Sequence, residues 1–455
     1  MDAQALVTNA DFIDNEIDWF QQLLELRLKL HASEVRDEEP LKMLVPPPLL
    51  ERGSPYAEVI QRHGMDAAER LVLILSYIPY IRPAVLDPFF IQNQALGRRF
   101  TEFGGWLGAT HSGFMPTVET AMFLLAGDDL EGRLRLHSLF SHEHFFSREG
   151  ILSLQHRHPE EPPYSAMLQL TPEYLERLST GRAHHPPLSP EFPAQRITTL
   201  YEWGDLVLEP SIRQELDDIV TWIRHQDMLL EGWMLKTRLK PGYRTLFYGP
   251  PGTGKTLTAS LLGKATGLPV YRIDLSKVVS KYIGETEKNL ASLFDRAQHQ
   301  NWILFFDEAD SLFGKRTESR DANDRAANQQ ISYLLQRFED FPGVIILATN
   351  LRSHFDEAFA RRFQSMIHFP MPGYEQRLKL WESNFKDKPY PLAPDVDLRK
   401  LARDHEIAGG SIINVLRYAC LRAIVRNPQV ICAQDLLHGI QKEFSKEGKF
   451  PGLSR

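Results

Sequence analysis

Cysteine is almost missing from this chain: Cys420 and Cys432 are the only two in 455 residues, so no disulfide framework is available. A reducing compartment, the cytoplasm, is therefore the expected location. Long apolar runs are missing too. The longest, 11 residues between Arg70 and Arg82, is interrupted by Ser76 and Pro79, and a bilayer span needs about 20. The first residues carry Asp2, Asp11, Asp14, Glu16 and Asp18 where an export signal would be basic, so no leader is expected. Nor is there an excess of positive charge. Lys and Arg number 52 against 59 Asp and Glu, a net charge of −7, so composition draws the chain to neither a phosphate backbone nor an anionic membrane. What is present is an ordinary globular mixture, 43% hydrophobic and 24% charged, which excludes a disordered or fibrous chain. At about 150 residues per domain the length suggests about three folding units.

Hydrophobic periodicity divides the chain. Ile13, Ile17, Phe20, Leu24 and Leu28 recur at helical spacing and predict an opening amphipathic helix that stops before Pro46, Pro47 and Pro48. A second helix is expected from Asp66 to Tyr80, and a third opened by Pro116 and Thr117 and stopped by Gly127. Ile151–Leu154 and Met167–Leu170 read as short strands before a helix opened by Thr171 and Pro172, a pattern compatible with a winged-helix-like part. Pro186, Pro187, Pro190 and Pro193 with His184 and His185 mark a linker, placed at 186–200, after an N-terminal domain over 1–185. From Thr245 the pattern changes. Thr245–Tyr248, Val270–Leu275, Ile303–Phe306, Val344–Ala348 and Met366–Phe369 alternate with amphipathic helices, which predicts an α/β fold with a parallel sheet between helical layers. After Pro372 only helical patterns remain.

Gly249-Pro250-Pro251-Gly252-Thr253-Gly254-Lys255-Thr256 fits G-x-x-x-x-G-K-[ST] between a predicted strand and a predicted helix. Glycines let main-chain N–H groups curl around phosphates, and the helix that opens at Lys255, with Leu257 in its first turn, adds its positive end. Lys255 would reach the β- and γ-phosphates of ATP and the Thr256 hydroxyl would coordinate Mg²⁺. A buried strand, Ile303–Phe306, delivers Asp307 and Glu308 to the same sheet edge. Asp307 would hold Mg²⁺ through water and Glu308 would act as general base on the attacking water. Asn350 ends the next apolar strand, where a neutral amide can orient that water without adding charge. Arg361 and Arg362 follow, and phosphoryl transfer builds negative charge that an inserted arginine stabilises.

With these motifs the sequence resembles an AAA+ ATPase of the AAA clade over about Tyr201 to Phe444. The resemblance implies a five-stranded parallel αβα domain at 201–372, a helical lid at 373–446 and assembly as a homohexamer. It implies that Asn350 is sensor 1 and that Arg361 and Arg362 act on the neighbouring subunit's ATP. Trp203-Gly204-Asp205-Leu206-Val207 sits where the family contacts adenine, with Asp205 and Val207 as the contacts. Gly409-Gly410-Ser411 resembles the sensor 2 region, with Gly410 at the nucleotide and glycine where other clades carry arginine. Lys281, Tyr282, Ile283 and Gly284 lie where relatives place an aromatic pore loop that grips extended polypeptide. Gly314–Arg325 resembles a second pore loop, although its mixed charges suit a plain solvated loop equally. His137, His142, His144, His156 and His158 fit no metal-ligand spacing and have no cysteine near them, so zinc is not expected.

The resulting expectation is an Mg²⁺-dependent ATPase that remodels or threads protein substrates through a ring, with the N-terminal domain recognising substrate or adaptor and with no membrane partner. The Pro116–Ala121 start and Asp321-Ala322-Asn323-Asp324-Arg325 are similar to bacterial ATPases encoded beside extracellular contractile injection systems. A nucleotide-switched assembly factor that threads nothing is the alternative. A nucleic-acid motor is disfavoured by the acidic balance and the lack of a basic, aromatic-interleaved stripe.

Overall fold

The computed structural model describes residues 3–33, 40–49, 53–94, 97–108, 110–158, 160–182, 185–189, 192–275, 285–310, 332–350, 360–385, 390–446 and 448. The chain divides into two compact units, Met1–Pro186 and Pro187–Arg455.

The N-terminal unit is mainly helical. α1 (Ala3–Ser33) buries Phe12, Ile17, Phe20, Leu23 and Leu24 along one face, as the spacing predicts. α2 (Pro55–His63) starts at Ser54, whose hydroxyl accepts from the Ala57 N–H at 3.1 Å. Asn9 of α1, almost fully buried, accepts from Ser54 Oγ at 2.7 Å and donates to the Leu178 carbonyl at 2.9 Å, joining distant parts of the unit. α3 (Ala67–Ile81) opens with a reciprocal capping box between Asp66 and Glu69. It is buried on all sides from Arg70 to Ile78, so the longest apolar run of the sequence is the central helix of a core. Among the described residues no single helix is long and apolar enough to cross a membrane. α4 (Val118–Ala126) is capped by Thr117 and stopped by Gly127, and α5 (Leu130–Leu136) follows. β1 (Leu152–Gln155) and β2 (Met167–Leu170) pair antiparallel, and α6 (Pro172–Thr180) opens at Thr171. His144 lies 3.1 Å from Glu69 and His137 lies 2.9 Å from Tyr164, so both serve packing contacts within the unit.

The C-terminal unit is built on one sheet: β3 (Gln195–Ile197), β4 (Tyr243–Tyr248), β5 (Val270–Asp274), β6 (Ile303–Asp307), β7 (Val344–Thr349) and β8 (Ser365–His368). Its order is β8-β4-β7-β6-β5-β3. β4 to β8 are mutually parallel, as the strand–helix alternation predicts. β3 is an addition to the expected five: it pairs antiparallel with β5, inside the stretch read as linker. Its three residues, two of them exposed and polar, give no alternation long enough to read as a strand. Both faces of the sheet are covered, which is why β6 and β7 are apolar without alternation. One face buries Ile273, Leu304, Phe306 and Leu347 with Leu293 and Phe294 of α9 (Glu285–Gln300). The other buries Phe247, Phe305 and Ile346 against α7 (Pro210–Asp227), through Ile212, Leu216 and Ile219, and α8 (Lys255–Thr266), through Ala259 and Leu262.

α10 (Tyr374–Phe385), α11 (Leu398–Asp404), α12 (Gly409–Ala423) and α13 (Ala433–Lys446) form a helical subdomain where the lid is expected. They close on their own core of Trp381, Ile412, Val415, Ala419, Leu436 and Ile440.

Candidate active site

β4 is buried over its four central residues, and it ends where the loop Gly249–Gly254 begins. Gly249 has φ +141°, and a Cβ there would stand 2.1 Å from the Phe369 carbonyl oxygen, so only glycine lets the loop leave the strand this way. The first hydrogen bond of α8 runs from Thr258 N–H to the Gly254 carbonyl at 2.8 Å. The N–H groups of the preceding turn therefore have no acceptor within the helix and are available to an anion.

The loop forms one wall of a cleft of about 710 Å³. Pro251, Gly252, Thr253, Gly254, Lys255, Thr256 and Leu257 line it together with Asp307 and Asn350 from the ends of β6 and β7. Asp205, Leu206 and Val207 line it from the segment before α7. Leu380, Tyr390, Gly410 and Ile413 line it from the lid. Polar groups and an apolar wall thus share one cavity, the composition expected of a nucleotide pocket. The lid meets the loop backbone to backbone: Gly410 N–H donates to the Gly252 carbonyl at 2.9 Å, and a Cβ on Gly410 would come within 3.1 Å of Gly252 Cα.

Lys255 is buried, with Nζ donating to the Gly249 and Pro250 carbonyls at 2.7 and 2.9 Å. Burial pushes its ammonium down to about 8, opposed by the negative charges of Asp307 and Asp310. Asp307 is held at both oxygens. Oδ2 pairs with Arg272 Nη2 at 2.8 Å and Oδ1 accepts the Glu308 N–H at 3.0 Å. Glu308 has φ +54°, a left-handed conformation that costs a non-glycine residue energy and is concentrated at functional sites. Asp310 accepts from the Thr349 hydroxyl and, at 3.1 Å, from the Asn350 N–H, so it fixes the end of β7 from which Asn350 enters the cleft.

The structure therefore gathers Lys255, Thr256, Asp307, Asn350, Asp205, Val207 and Gly410 around one cavity. Gly249 and Pro250 stand behind the loop with their carbonyls on Lys255. Glu308 is exposed beside Asp307 rather than in the cavity wall. Arg361 and Arg362 are exposed and line a separate hollow of about 430 Å³ with Trp222, Lys240 and Glu339, where Arg362 Nε lies 3.1 Å from Glu339 Oε1. Lys281, Tyr282, Ile283 and Gly284, and the Gly314–Arg325 segment, lie outside the described residues. Sequence reasoning missed Arg272, Asp310 and the apolar lid residues. Asp310 had a signal in its spacing of three from Asp307 on a strand-to-helix turn; Arg272 had none, because only strand register brings it to β6.

A hydroxyl and a carboxylate on one cavity are hard oxygen donors of the kind Mg²⁺ accepts while keeping waters and phosphate oxygens. Thr256 and Asp307 fit that role. Among the described residues no group of three or more His, Cys, Asp or Glu side chains could hold a metal by itself.

Comparison with known proteins bears on the same segment. Residues 245–371 match the family described as "ATPase family associated with various cellular activities (AAA)". The chain is 33% identical over 239 residues to "ATP-dependent zinc metalloprotease FtsH 3" of Symbiobacterium thermophilum, covering 51% of this chain and 37% of that protein. It is 34% identical over 222 residues to "Proteasome-activating nucleotidase" of Methanocella arvoryzae, covering 47% and 53%. It is 29% identical over 260 residues to "Katanin p60 ATPase-containing subunit A1" of Strongylocentrotus purpuratus, covering 54% and 48%. The chain thus spans about half or less of these relatives.

Proposed function

We propose, from the premise that this chain belongs to the AAA ATPase family through residues 245–371, that it hydrolyses ATP with Mg²⁺ and uses the cycle to remodel a protein client. The observation that carries this reading is the single cavity shared by the Gly-rich loop, Asp307, Asn350 and the lid. Lys255 and the N–H groups at the start of α8 bind the triphosphate. Thr256 and, through water, Asp307 would hold Mg²⁺, whose chemistry is to neutralise negative charge on the bound triphosphate. Glu308 takes the proton of the attacking water, and Asn350 orients that water. Asp205 and Val207 face the base, with Leu380 and Ile413 of the lid covering the cavity.

Arg361 and Arg362 stand away from their own chain's cavity, which supports a role at a neighbouring copy's ATP in a hexameric ring. Tyr282 and its neighbours Lys281, Ile283 and Gly284 would grip the client in the pore. The unit Met1–Pro186 would choose the client or adaptor, in a reducing cytoplasm. The likeness to ATPases encoded beside contractile injection systems makes components of such a particle the first clients to test. The test is a pull-down with the full-length Glu308→Gln variant in Mg-ATP, followed by identification of the retained protein and a remodelling assay on it. Retention of a client by Glu308→Gln and its release by wild type support remodelling; equal release by both opposes it. Tyr282→Ala should lose remodelling and keep its ATPase activity, whereas full remodelling by that variant favours a nucleotide-switched assembly factor.

A further inference from the structure

We infer that Arg272 is a positioning residue for hydrolysis, acting through Asp307 on the backbone of Glu308. The inference rests on the nucleotide-site reading above and adds a residue to it. β5 and β6 are parallel neighbours with Arg272 opposite Phe305 and Asp274 opposite Asp307. This register lets the Arg272 guanidinium run along the sheet to the end of β6, where Nη2 meets Asp307 Oδ2 at 2.8 Å. The Arg272 Nε is buried and has no hydrogen-bond partner among the described residues. A buried donor left unpaired opposes stability, so an arginine here is poorly explained as a stabilising choice for the strand. Its interaction with Asp307 accounts for it better.

The chain of contacts continues beyond Asp307. Because Oδ2 is held by Arg272, the carboxylate plane is set, and Oδ1 faces the Glu308 N–H at 3.0 Å. That hydrogen bond supports a residue whose φ of +54° is intrinsically unfavourable. Arg272 therefore fixes two things at once: the orientation of the carboxylate that would hold Mg²⁺ through water, and the backbone conformation from which the general base projects. Groups that orient a residue serving a metal typically change affinity or activity by about 10- to 100-fold when removed.

The test uses the full chain and the variants Arg272→Met and Arg272→Lys. Affinity for a fluorescent ATP analogue is titrated with Mg²⁺ and with EDTA, and kcat and KM are measured beside it. For Arg272→Met we expect unchanged affinity in EDTA, an Mg²⁺-dependent gain in affinity reduced by about tenfold, and kcat reduced by about tenfold or more. KM for Mg-ATP should rise in step with the lost Mg²⁺-dependent affinity. Arg272→Lys, which keeps one charged donor, should recover part of both losses. Retention by Arg272→Met of kcat and of the Mg²⁺-dependent gain within about twofold would overturn the assignment, as would equal losses with Mg²⁺ and with EDTA. If Arg272→Met does not fold, Arg272→Lys decides alone: wild-type kcat at wild-type Mg²⁺ dependence opposes the inference, and a selective fall in both supports it. Wild-type protein that binds no nucleotide would instead refute the nucleotide-site reading.

Discussion

Each half of the molecule holds a charged cluster, one buried and one partly exposed, and the two differ in what they can reach. In the N-terminal unit Glu16, fully buried, pairs with Arg70, which also donates to the Pro47 carbonyl at 2.8 Å. Desolvation raises the Glu16 carboxyl above its usual range, although the hydrogen bond and charge of Arg70 pull the other way. The pair sits within the core cluster around α1 and α3. In the C-terminal unit Lys255, Asp307 and Arg272 form a comparable set of opposite charges, but Lys255 and Asp307 form part of a cavity wall. A closed ion pair can only be structural; charges at a cavity can exchange their internal partners for a ligand. Opposite charges meet in both places, and access decides the role.

Lys255→Ala should have the largest effect. Affinity for ATP should fall by about 100-fold or more while the fold is kept, checked by fluorescent-nucleotide titration and thermal unfolding. Glu16→Gln or Arg70→Met should do the reverse: removing one partner of a buried pair costs about 3–5 kcal/mol of stability in the N-terminal unit. Denaturant unfolding measures that loss, and nucleotide affinity should not change. A sharper contrast comes from pH. With its ammonium held near 8, Lys255 is charged below that pH and neutral above it, and a triphosphate binds the charged form. Affinity should therefore be level below about pH 8 and fall by up to about tenfold per unit above it, until the bound-state value is reached. Lys255→Arg should abolish this slope, and a level wild-type profile from pH 7 to 9.5 would contradict the burial argument. Asp310→Asn should give the smallest effect. It weakens the acceptor for Thr349 and the Asn350 N–H, so kcat should fall several-fold with ATP affinity kept.

How much the sequence reveals follows the same division between local and distant interactions. The Gly-rich loop, the caps at Thr117 and Thr171, and the buried strands ending at Asp307 and Asn350 are local patterns, and the structure contains each of them. Arg272 and Asp307 meet only because β5 and β6 pair in one particular register, and no local pattern encodes that. Asp310 reaches Thr349 because β6 lies beside β7. The apolar lid residues of the cavity, Leu380 and Ile413, look like ordinary core positions on α10 and α12 until those helices are folded over the loop. β3 is legible only as the partner of β5.

The central claim is that a triphosphate held by the Gly249–Thr256 loop is split by water that Glu308 activates. The most direct measurement is phosphate release by the full-length chain and by Glu308→Gln at saturating Mg-ATP, with bound nucleotide quantified in the same samples. The account predicts that both bind nucleotide and that Glu308→Gln releases phosphate at least about 100-fold more slowly. Equal phosphate release by the two proteins would contradict it.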